Sequence, residues 1–313
     1  MIAATIADGA VAPREHPDPV PGAGEVLVRV RAAGLNGADM MQLAGRYPAP
    51  PGAPADIPGL ELAGEVEALG PGATRFAIGE RVMAIVAGGG QAQLAVVSER
   101  ILMAVPKRLD WPAAGGVPEV FTTAHDALFT QCGLLAGERL LVHGGAGGVG
   151  CAAIGLGCAA GAQVFATVRN PALRDAVAAL GARVLDPQSF AEHGPFDVIL
   201  ELVGAVNLAA NLGSLAPLGR IAVIGIGAGA TAEIDLRMLM GKRARIHGSV
   251  LRARSPEEKA LTARALERSV LPKLADGAIT VPVAATFPLE RVADAYTAFA
   301  AGGKLGKIVL LMP

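Results

Sequence analysis

The sequence predicts a two-part α/β protein, in which an all-β region precedes a doubly wound parallel sheet. The apolar run at 140–142 is typical of a buried parallel strand, and it leads directly into a glycine-rich turn. In that turn Gly145, Gly147 and Gly150 fit the dinucleotide-binding spacing G-x-G-x-x-G. Strand-like and helix-like segments alternate after the turn, whereas strand patterns and turn residues dominate before residue 118.

The glycine-rich turn is expected to form an anion site. Residues 151–160 contain no charge and no proline, so they can continue as a helix whose unpaired amide groups face the turn. The alternative is a membrane helix, because 140–168 contain no charged residue, but the seven glycines between 144 and 157 disfavour it. The residues expected to hold a pyrophosphate are Gly145, Ala146, Gly147, Gly148, Val149 and Gly150.

Composition limits the class of partner. A chain of 313 residues suggests two domains, and 27 Lys and Arg against 28 Asp and Glu give no net field to recruit nucleic acid or anionic membrane. A small-molecule partner is therefore expected. The three cysteines have neither disulfide-framework nor metal spacing, and the first twenty residues carry charges and prolines rather than a signal sequence. A cytoplasmic location is expected.

The amino-terminal region is predicted to be all-β. Residues 25–31 alternate as a half-buried strand does, and further strands fit 64–69, 81–86 and 94–97. Residues 48–58 contain five prolines without an apolar period, which predicts an exposed loop.

After the glycine-rich turn, five strand candidates are separated by helical patterns. The strands are predicted at 164–168, 183–185, 198–202, 221–225 and 245–251. A long amphipathic helix is expected from about Pro256, with a break at Pro272. The tail is predicted to end with a helix at 290–301 and a strand at 307–311.

Several local motifs resemble those of a known family. They are Gly-Leu-Asn-x-x-Asp at 34–39, Pro-Gly-Leu-Glu at 58–61, Gly-Glu-Arg-Val at 79–82 and the glycine-rich turn with its preceding His143. Together they resemble the zinc-independent quinone oxidoreductases of the medium-chain dehydrogenase/reductase superfamily. The strings at 88–93 and 38–42, with Tyr47 following, resemble the tumour-suppressor-inducible branch.

This resemblance implies an architecture. A doubly wound Rossmann sheet at 121–283 binds NADPH and is inserted into a GroES-like β-barrel domain formed by 1–120 and 284–313. The active site then lies in the cleft between the domains. Relatives pair through the last strands of the cofactor sheet, so a homodimer through 245–251 is expected.

No metal site is expected. The zinc alcohol dehydrogenases of the superfamily carry a cysteine where this chain has Asn36 and a histidine where it has Leu60. A catalytic zinc needs about three protein ligands, and Glu61 alone remains.

The resemblance also assigns site residues. Asn36 and Tyr47 border the nicotinamide and are the candidate catalytic donors to a substrate oxygen, with Asn36 also contacting the cofactor. The other cofactor contacts are Thr123, Val203, Ile224, Gly225, Ile226, Val250, Leu251 and Arg252.

Ordinary structural roles remain open for several of these residues. Tyr47 can instead pack on neighbouring prolines, Thr123 can be structural and Arg252 can be a surface charge. Asp39 is interpreted as the cap of a helix beginning near Met40. His143 is interpreted as a satisfied core histidine, because no acidic residue is adjacent to it in sequence.

The choice of nicotinamide depends on the end of the second sheet strand. NAD enzymes commonly place an acidic residue there, whereas this chain has Val-Arg-Asn at 168–170. The guanidinium of Arg169 is the first candidate to bind the 2′-phosphate of NADPH. Many relatives use a lysine at the position of Leu173, so the neighbouring Arg174 is the second candidate, and surface roles for both arginines remain open.

The leading functional hypothesis is an NADPH-dependent quinone oxidoreductase that acts on quinones or conjugated carbonyls without zinc. An alkene or enoyl-thioester reductase of the same superfamily is the first alternative. The second is a cofactor-binding structural or RNA-binding protein, which the near-neutral charge disfavours.

Overall fold

The computed structural model describes all residues from Met1 to Pro313. The chain divides into two compact units, of which the first comprises 1–122 and 251–313 and the second comprises 123–250. The chain thus returns to the first unit at residue 251 rather than near 284. The reason is that the helix at Pro256–Ser269 packs within the first unit, where Ala260 joins the hydrophobic core.

The second unit contains a six-stranded, fully parallel sheet. Its strands are β8 (Arg139–Val142), β9 (Gln163–Thr167), β10 (Arg183–Leu185), β11 (Phe196–Glu201), β12 (Leu215–Val223) and β13 (Arg245–Gly248). Its helices are α4 (Gly148–Ala159), α5 (Arg174–Ala178), α6 (Leu208–Gly213) and α7 (Leu236–Lys242). The predicted doubly wound sheet is confirmed.

The strand order is β10-β9-β8-β11-β12-β13, so β8 and β11 are neighbours at the centre. In a sheet of this order the chain reverses direction of winding between the two central strands, and ligands bind at the carboxyl ends there. The strands lie on a core that includes Leu141, Phe165, Phe196, Ile199 and Ile221.

The first unit consists of a two-stranded ribbon and a mainly antiparallel seven-stranded sheet. Its strands are β1 (Ile2–Ala7), β2 (Ala10–Glu15), β3 (Glu25–Gly34), β4 (Glu61–Leu69), β5 (Arg81–Ile85), β6 (Leu94–Ser98), β7 (Met103–Ala104), β14 (Val283–Pro288) and β15 (Lys307–Leu311). Its helices are α1 (Gly37–Leu43), α2 (Trp111–Gly115), α8 (Pro256–Ser269), α9 (Leu271–Ala275) and α10 (Val292–Ala301), while α3 (Pro118–His125) extends across residue 122.

The final strand completes the sheet of the first unit. β15 pairs antiparallel with β3, and Val309 and Leu310 of β15 are fully buried. The sequence missed β1, β2, β7 and β14. β7 has only two residues, and the other three strands do not stand out as alternating apolar runs, although β1 pairs with its neighbour β2 and β14 pairs with β15.

No helix of the structure is both long enough and apolar enough to cross a membrane. The uncharged run at 140–168 is instead divided into β8, α4 and β9. The glycines that separate β8 from α4 account for this division, because they favour a turn over a continuous helix.

Candidate active site

The glycine-rich turn joins β8 to α4, and at two of its positions there is no room for a side chain. A Cβ atom on Gly145 would lie 2.8 Å from the Cβ atom of Ala166 in the next strand. A Cβ atom on Gly150 would collide with the carbonyl oxygen of Gly144. The two buried glycines therefore permit close contact among strand, turn and helix.

The middle of the turn is open. Gly147 is exposed, and a Cβ atom there would meet only the Gly144 carbonyl oxygen, at 3.4 Å. Gly147 precedes the first residue of α4 with extended backbone angles. The first-turn amides of Gly148, Val149 and Gly150 have no helical partner, so the predicted residues form a cradle suited to a dinucleotide pyrophosphate.

Two further turns lie at the same edge of the sheet. β11 ends at Glu201 and β12 ends at Val223, and both strands run parallel to β8. Gly225 has no room for a side chain, because a Cβ atom would collide with the Leu202 carbonyl group. The structure therefore brings Val203, Ile224, Gly225 and Ile226 to the carboxyl edge next to the glycine-rich turn.

Two arginines follow β9, and their environments differ. Arg174 is held by an ion pair of 2.7 Å between its Nη2 and Oδ2 of Asp186, and its Nε donates to the Val168 carbonyl oxygen at 3.3 Å. Arg169 is exposed and makes no hydrogen bond or ion pair with the protein. The free guanidinium at the end of β9 is therefore that of Arg169.

In the first unit, Asn36 belongs to a buried polar cluster. The Lys307 ammonium group donates to Oδ1 of Asn36 at 2.7 Å and to the Leu35 carbonyl oxygen at 2.7 Å, and it lies 2.6 Å from Oε1 of Glu61. Nδ2 of Asn36 donates to the same Glu61 oxygen at 2.9 Å. Oε2 of Glu61 accepts the backbone N–H of Glu119 at 2.8 Å.

These contacts fix the orientation of the Asn36 amide. Its oxygen is occupied by Lys307, and the second Nδ2 contact, to the Gly34 carbonyl oxygen, is 3.4 Å long. Asn36 thus retains one weakly used N–H donor. Glu61 is thus a buried structural carboxylate, paired with Lys307 and hydrogen-bonded to Asn36 and Glu119.

Asp39 lies inside α1 rather than before it. The helix begins at Gly37 with Asn36 as the preceding residue, so the expectation of a helix starting near Met40 was wrong. The Asp39 carboxylate accepts the backbone N–H of Asn36 at 2.8 Å and that of Gly59 at 3.1 Å. Burial of this carboxyl group raises its pKa to about 6, against the opposing effect of these hydrogen bonds.

Arg252 is buried, and the surface role left open for it was wrong. Its guanidinium donates to the carbonyl oxygens of Ala87 and Tyr47, at 2.8 and 2.9 Å, and to Oε1 of Gln42 at 2.6 Å. Its Cζ atom lies 5.0 Å from the centre of the Tyr47 ring. Arg252 therefore fixes both the backbone and the ring of Tyr47.

Tyr47 is half-buried, and its hydroxyl group makes no hydrogen bond with the protein. Burial raises the pKa of this phenol, while Arg252 lowers it. A protonated phenol without a partner is an available hydrogen-bond donor.

The remaining predicted residues differ in their exposure. Thr123 is buried within α3, Leu251 is buried at the start of the returning segment, and Val250 is 58% exposed. None of the three cysteines forms a disulfide, and no group of three or more His, Cys, Asp or Glu side chains has the arrangement of a metal site. The polar cluster around Glu61 instead contains an ammonium group.

His143 is a buried core histidine, as interpreted. Its Nε2 lies 2.7 Å from Oδ1 of Asn211, and its Nδ1 lies 3.1 Å from the Thr167 hydroxyl group. An acidic group is nevertheless close, because Oε2 of Glu201 is 3.8 Å from Nε2. Burial lowers the pKa of His143, and Glu201 opposes this shift.

The two units and their sites define the class of protein, a dinucleotide-binding dehydrogenase fold with a β domain, and comparison with known proteins identifies the family. Models of the alcohol dehydrogenase GroES-like domain and the zinc-binding dehydrogenase match residues 22–107 and 148–267. Human quinone oxidoreductase is 31% identical over 306 residues, which cover 94% of this chain and 91% of the human protein. The chain belongs to the medium-chain dehydrogenase/reductase superfamily, with quinone oxidoreductases among its relatives.

Other comparisons agree with this assignment. Polyketide synthase GfsB of Streptomyces halstedii is 33% identical over 299 residues, which cover 93% of this chain and 5% of that synthase. An alcohol dehydrogenase superfamily protein from Novosphingobium aromaticivorans superposes over the full length of both chains with a TM-score of 0.88 and 30% identity. A mycobacterial protein solved as a complex with NADPH has a TM-score of 0.87 and 28% identity, over 99% of this chain and 100% of that one. The chain is therefore an oxidoreductase of a family that binds nicotinamide cofactors.

The environment of His143 predicts a pH-dependent stability. Because burial lowers its native pKa, the unfolded chain takes up a proton below pH ~6.5 that the native state does not. This histidine therefore reduces the free energy of unfolding as pH falls below ~6.5, by at most about 1.4 kcal/mol per pH unit, and has no such effect above that pH. Urea unfolding should show that His143→Gln loses this component, so the wild-type advantage over the variant grows from pH 5 to 6.5 and then levels off. A difference independent of pH would contradict the assignment.

Proposed function

We propose that the protein is an NADPH-dependent oxidoreductase that transfers hydride to quinones without zinc. The observation that carries the proposal is the glycine cradle beside a free arginine at the end of β9. The full-length likeness to human quinone oxidoreductase supports the substrate class. When bound, reduced nicotinamide supplies the hydride, and the protein has to position the acceptor and stabilise its developing negative charge.

The cofactor preference rests on Arg169. No carboxylate occupies 168–170, so nothing there repels a 2′-phosphate, and the Arg169 guanidinium has no competing ion pair. Arg174 is a poorer candidate because Asp186 already neutralises it. The mycobacterial neighbour with NADPH is consistent with this choice.

The groups proposed to stabilise charge on the acceptor are in the first unit. The Tyr47 hydroxyl is the better donor because no protein group competes for it, while Asn36 contributes its one weakly used N–H. Arg252 holds Tyr47 in place. Glu61 and Lys307 hold Asn36 in place, so the amide is oriented before a substrate binds.

A second candidate is reduction of the alkene of an α,β-unsaturated thioester. The observation that favours it is the 33% identity to a polyketide synthase across nearly the whole of this chain. The same donors would then stabilise an enolate oxygen.

We further propose a homodimer. β13 is the edge strand of the parallel sheet, and apolar side chains close to it in sequence are exposed, with 65% of Leu236, 74% of Met240 and 58% of Val250 accessible. An unprotected edge beside apolar residues is a surface that natural proteins cover, and a second copy paired through β13 would cover it.

A substrate panel tests the reaction class. Oxidation of NADPH by the purified protein should be fastest, judged by kcat/KM, with quinones, slower with conjugated ketones and slowest with enoyl thioesters. Activity should survive dialysis against a strong chelator, because the chain offers no zinc ligand set. A preference for enoyl thioesters would favour the second candidate, and loss of activity together with stoichiometric zinc would refute zinc independence.

The cofactor preference is tested by two arginine variants. Arg169→Ala should weaken NADPH binding by about 10- to 100-fold, as for a lost hydrogen bond to a charged group, and should leave NADH binding unchanged. Arg174→Ala is the matched control and should alter neither affinity by more than about twofold, since an exposed ion pair contributes little. If Arg174→Ala alone weakens NADPH binding, the phosphate assignment moves to Arg174.

Tyr47→Phe tests the donor to the acceptor oxygen. The variant should lower kcat by about 10- to 100-fold with little change in NADPH affinity, because the lost hydrogen bond is strongest in the transition state. Tyr296→Phe is the matched control, since this hydroxyl donates to Oε1 of Gln91 inside the core at 2.9 Å. The control should reduce stability by about 1 kcal/mol and retain kcat. Equal kcat values for both variants would remove Tyr47 from the reaction.

Sedimentation tests the dimer. Wild-type protein should sediment as a dimer at micromolar concentration, and Leu236→Asp with Met240→Asp should produce monomer, because a carboxylate buried in the interface is costly. Leu135→Asp adds a charge at a side chain that is also 65% exposed but lies elsewhere in the second unit, and it should remain dimeric. Wild-type monomer would exclude the dimer.

A further inference from the structure

Glu201, the last residue of β11, is a buried carboxylate that binds the backbone of the following turn. It is 1% exposed, and its Oε1 accepts the N–H groups of Val203 at 2.6 Å and Gly204 at 2.8 Å. Gly204 has a φ of 131°, a conformation that favours glycine. The carboxylate therefore fixes the shape of the turn after β11.

The second carboxylate oxygen extends the contacts into α6. Oε2 accepts Nδ2 of Asn211 at 2.8 Å and Nδ2 of Asn207 at 3.1 Å. Because Nδ2 of Asn211 donates to Glu201, its Oδ1 is the atom that faces Nε2 of His143, at 2.7 Å. Nε2 must then carry the imidazole proton, and the carboxylate determines the histidine tautomer through the amide.

The chain of hydrogen bonds continues to the glycine-rich turn. With its proton on Nε2, His143 accepts at Nδ1 from the Thr167 hydroxyl group, 3.1 Å away. The Thr167 hydroxyl oxygen accepts the backbone N–H of Gly144 at 3.3 Å, and the Thr167 carbonyl oxygen accepts that of Gly145 at 3.0 Å. The Glu201 carboxylate can only accept hydrogen bonds, and the backbone N–H groups of Gly144 and Gly145 can only donate them. The direction of every hydrogen bond between these two ends is therefore determined.

We propose that Glu201 is a positioning residue for the dinucleotide, and that its hydrogen-bonded series through Asn211, His143 and Thr167 holds the turns after β8 and β11 in their binding conformation before the cofactor arrives. This inference rests on the proposed function. Ordering a turn in advance strengthens binding, because the ordering entropy is then not lost on association.

The cost of the arrangement argues for a role beyond filling space. Glu201 accepts hydrogen bonds on both oxygens but has no Lys or Arg partner, and the adjacent His143 is neutral in this arrangement. Packed apolar side chains are often as stable as buried charges or more so. Oε1, whose two closest partners are turn amides, connects this costly group directly to the site.

Glu201→Gln replaces one acceptor oxygen by a donor that faces other donors. Glu138→Gln is the matched control, because Glu138 precedes β8 at the opposite end of the strand, where its Oε1 pairs with Nη1 of Arg220 at 2.8 Å. The measurements are the melting temperature, NADPH affinity by calorimetry well below that temperature, and amide hydrogen exchange in cofactor-free protein.

Glu201→Gln should weaken NADPH binding by about 10- to 100-fold, as for unsatisfied buried donors, and raise KM for NADPH with kcat largely retained. It should also speed exchange at the amides of Val203 and Gly204. Glu138→Gln should lower the melting temperature and leave NADPH affinity within about twofold.

The distant end of the series gives a second test should Glu201→Gln fail to fold. Thr167→Val removes the hydroxyl group, so it should weaken NADPH binding and speed hydrogen exchange at the Gly144 amide. Thr167→Ser keeps a hydroxyl group and should have the NADPH affinity and the Gly144 exchange rate of the wild-type protein. If Glu201→Gln and Thr167→Val lower the melting temperature but leave NADPH affinity unchanged, the network is structural only and the proposal is overturned. If wild-type protein binds no nicotinamide dinucleotide, the proposed function itself fails, a separate outcome visible before any variant is made.

Discussion

The carboxyl edge of the parallel sheet depends on how the chain satisfies one buried carboxylate, that of Glu201. Strand order makes β8 and β11 neighbours, so the turns that follow them begin side by side. Such turns contain amides without sheet partners, and each buried amide needs an acceptor. Glu201 supplies acceptors to the turn after β11, and through the asparagine and histidine side chains it orients the acceptor for the turn after β8.

The two units stabilise buried carboxylates in different ways. Glu61 has a full cation, since the Lys307 ammonium lies 2.6 Å from it, and the pair also orients Asn36. Glu201 has only neutral donors. Asp39 accepts two backbone amides, but the effect of burial outweighs these hydrogen bonds and raises the pKa of its carboxyl group to about 6. Each of these carboxylates contacts a residue that the proposals use: Glu61 and Asp39 contact Asn36, and Glu201 contacts Val203.

The family assignment and the reaction have different foundations. The 31% identity to human quinone oxidoreductase, over 94% of this chain, shows the superfamily, but the chain also matches a segment that makes up 5% of a polyketide synthase. One fold can support different reactions. The substrate class therefore has to follow from side chains in the site. The proposals of NADPH as cofactor and of a donor to the acceptor oxygen rest on an unpaired guanidinium after β9 and an unpaired phenol at Tyr47.

The sequence by itself determined the features that depend on neighbours along the chain. Glycine spacing, apolar runs and helix breaks specified the cradle, five of the six sheet strands to within three residues and the resemblance to a family. Tertiary structure alone decided the start of β12 at Leu215, the return to the first unit at residue 251, and the burial of Arg252. It also decided the partners of His143 and Asn36, because Glu201 and Lys307 are 58 and 271 residues away from them in sequence. The periodicity of apolar residues indicates which face of a helix or strand is buried. The hydrogen-bond partners of a buried side chain depend on which distant segments of the chain come together in the fold.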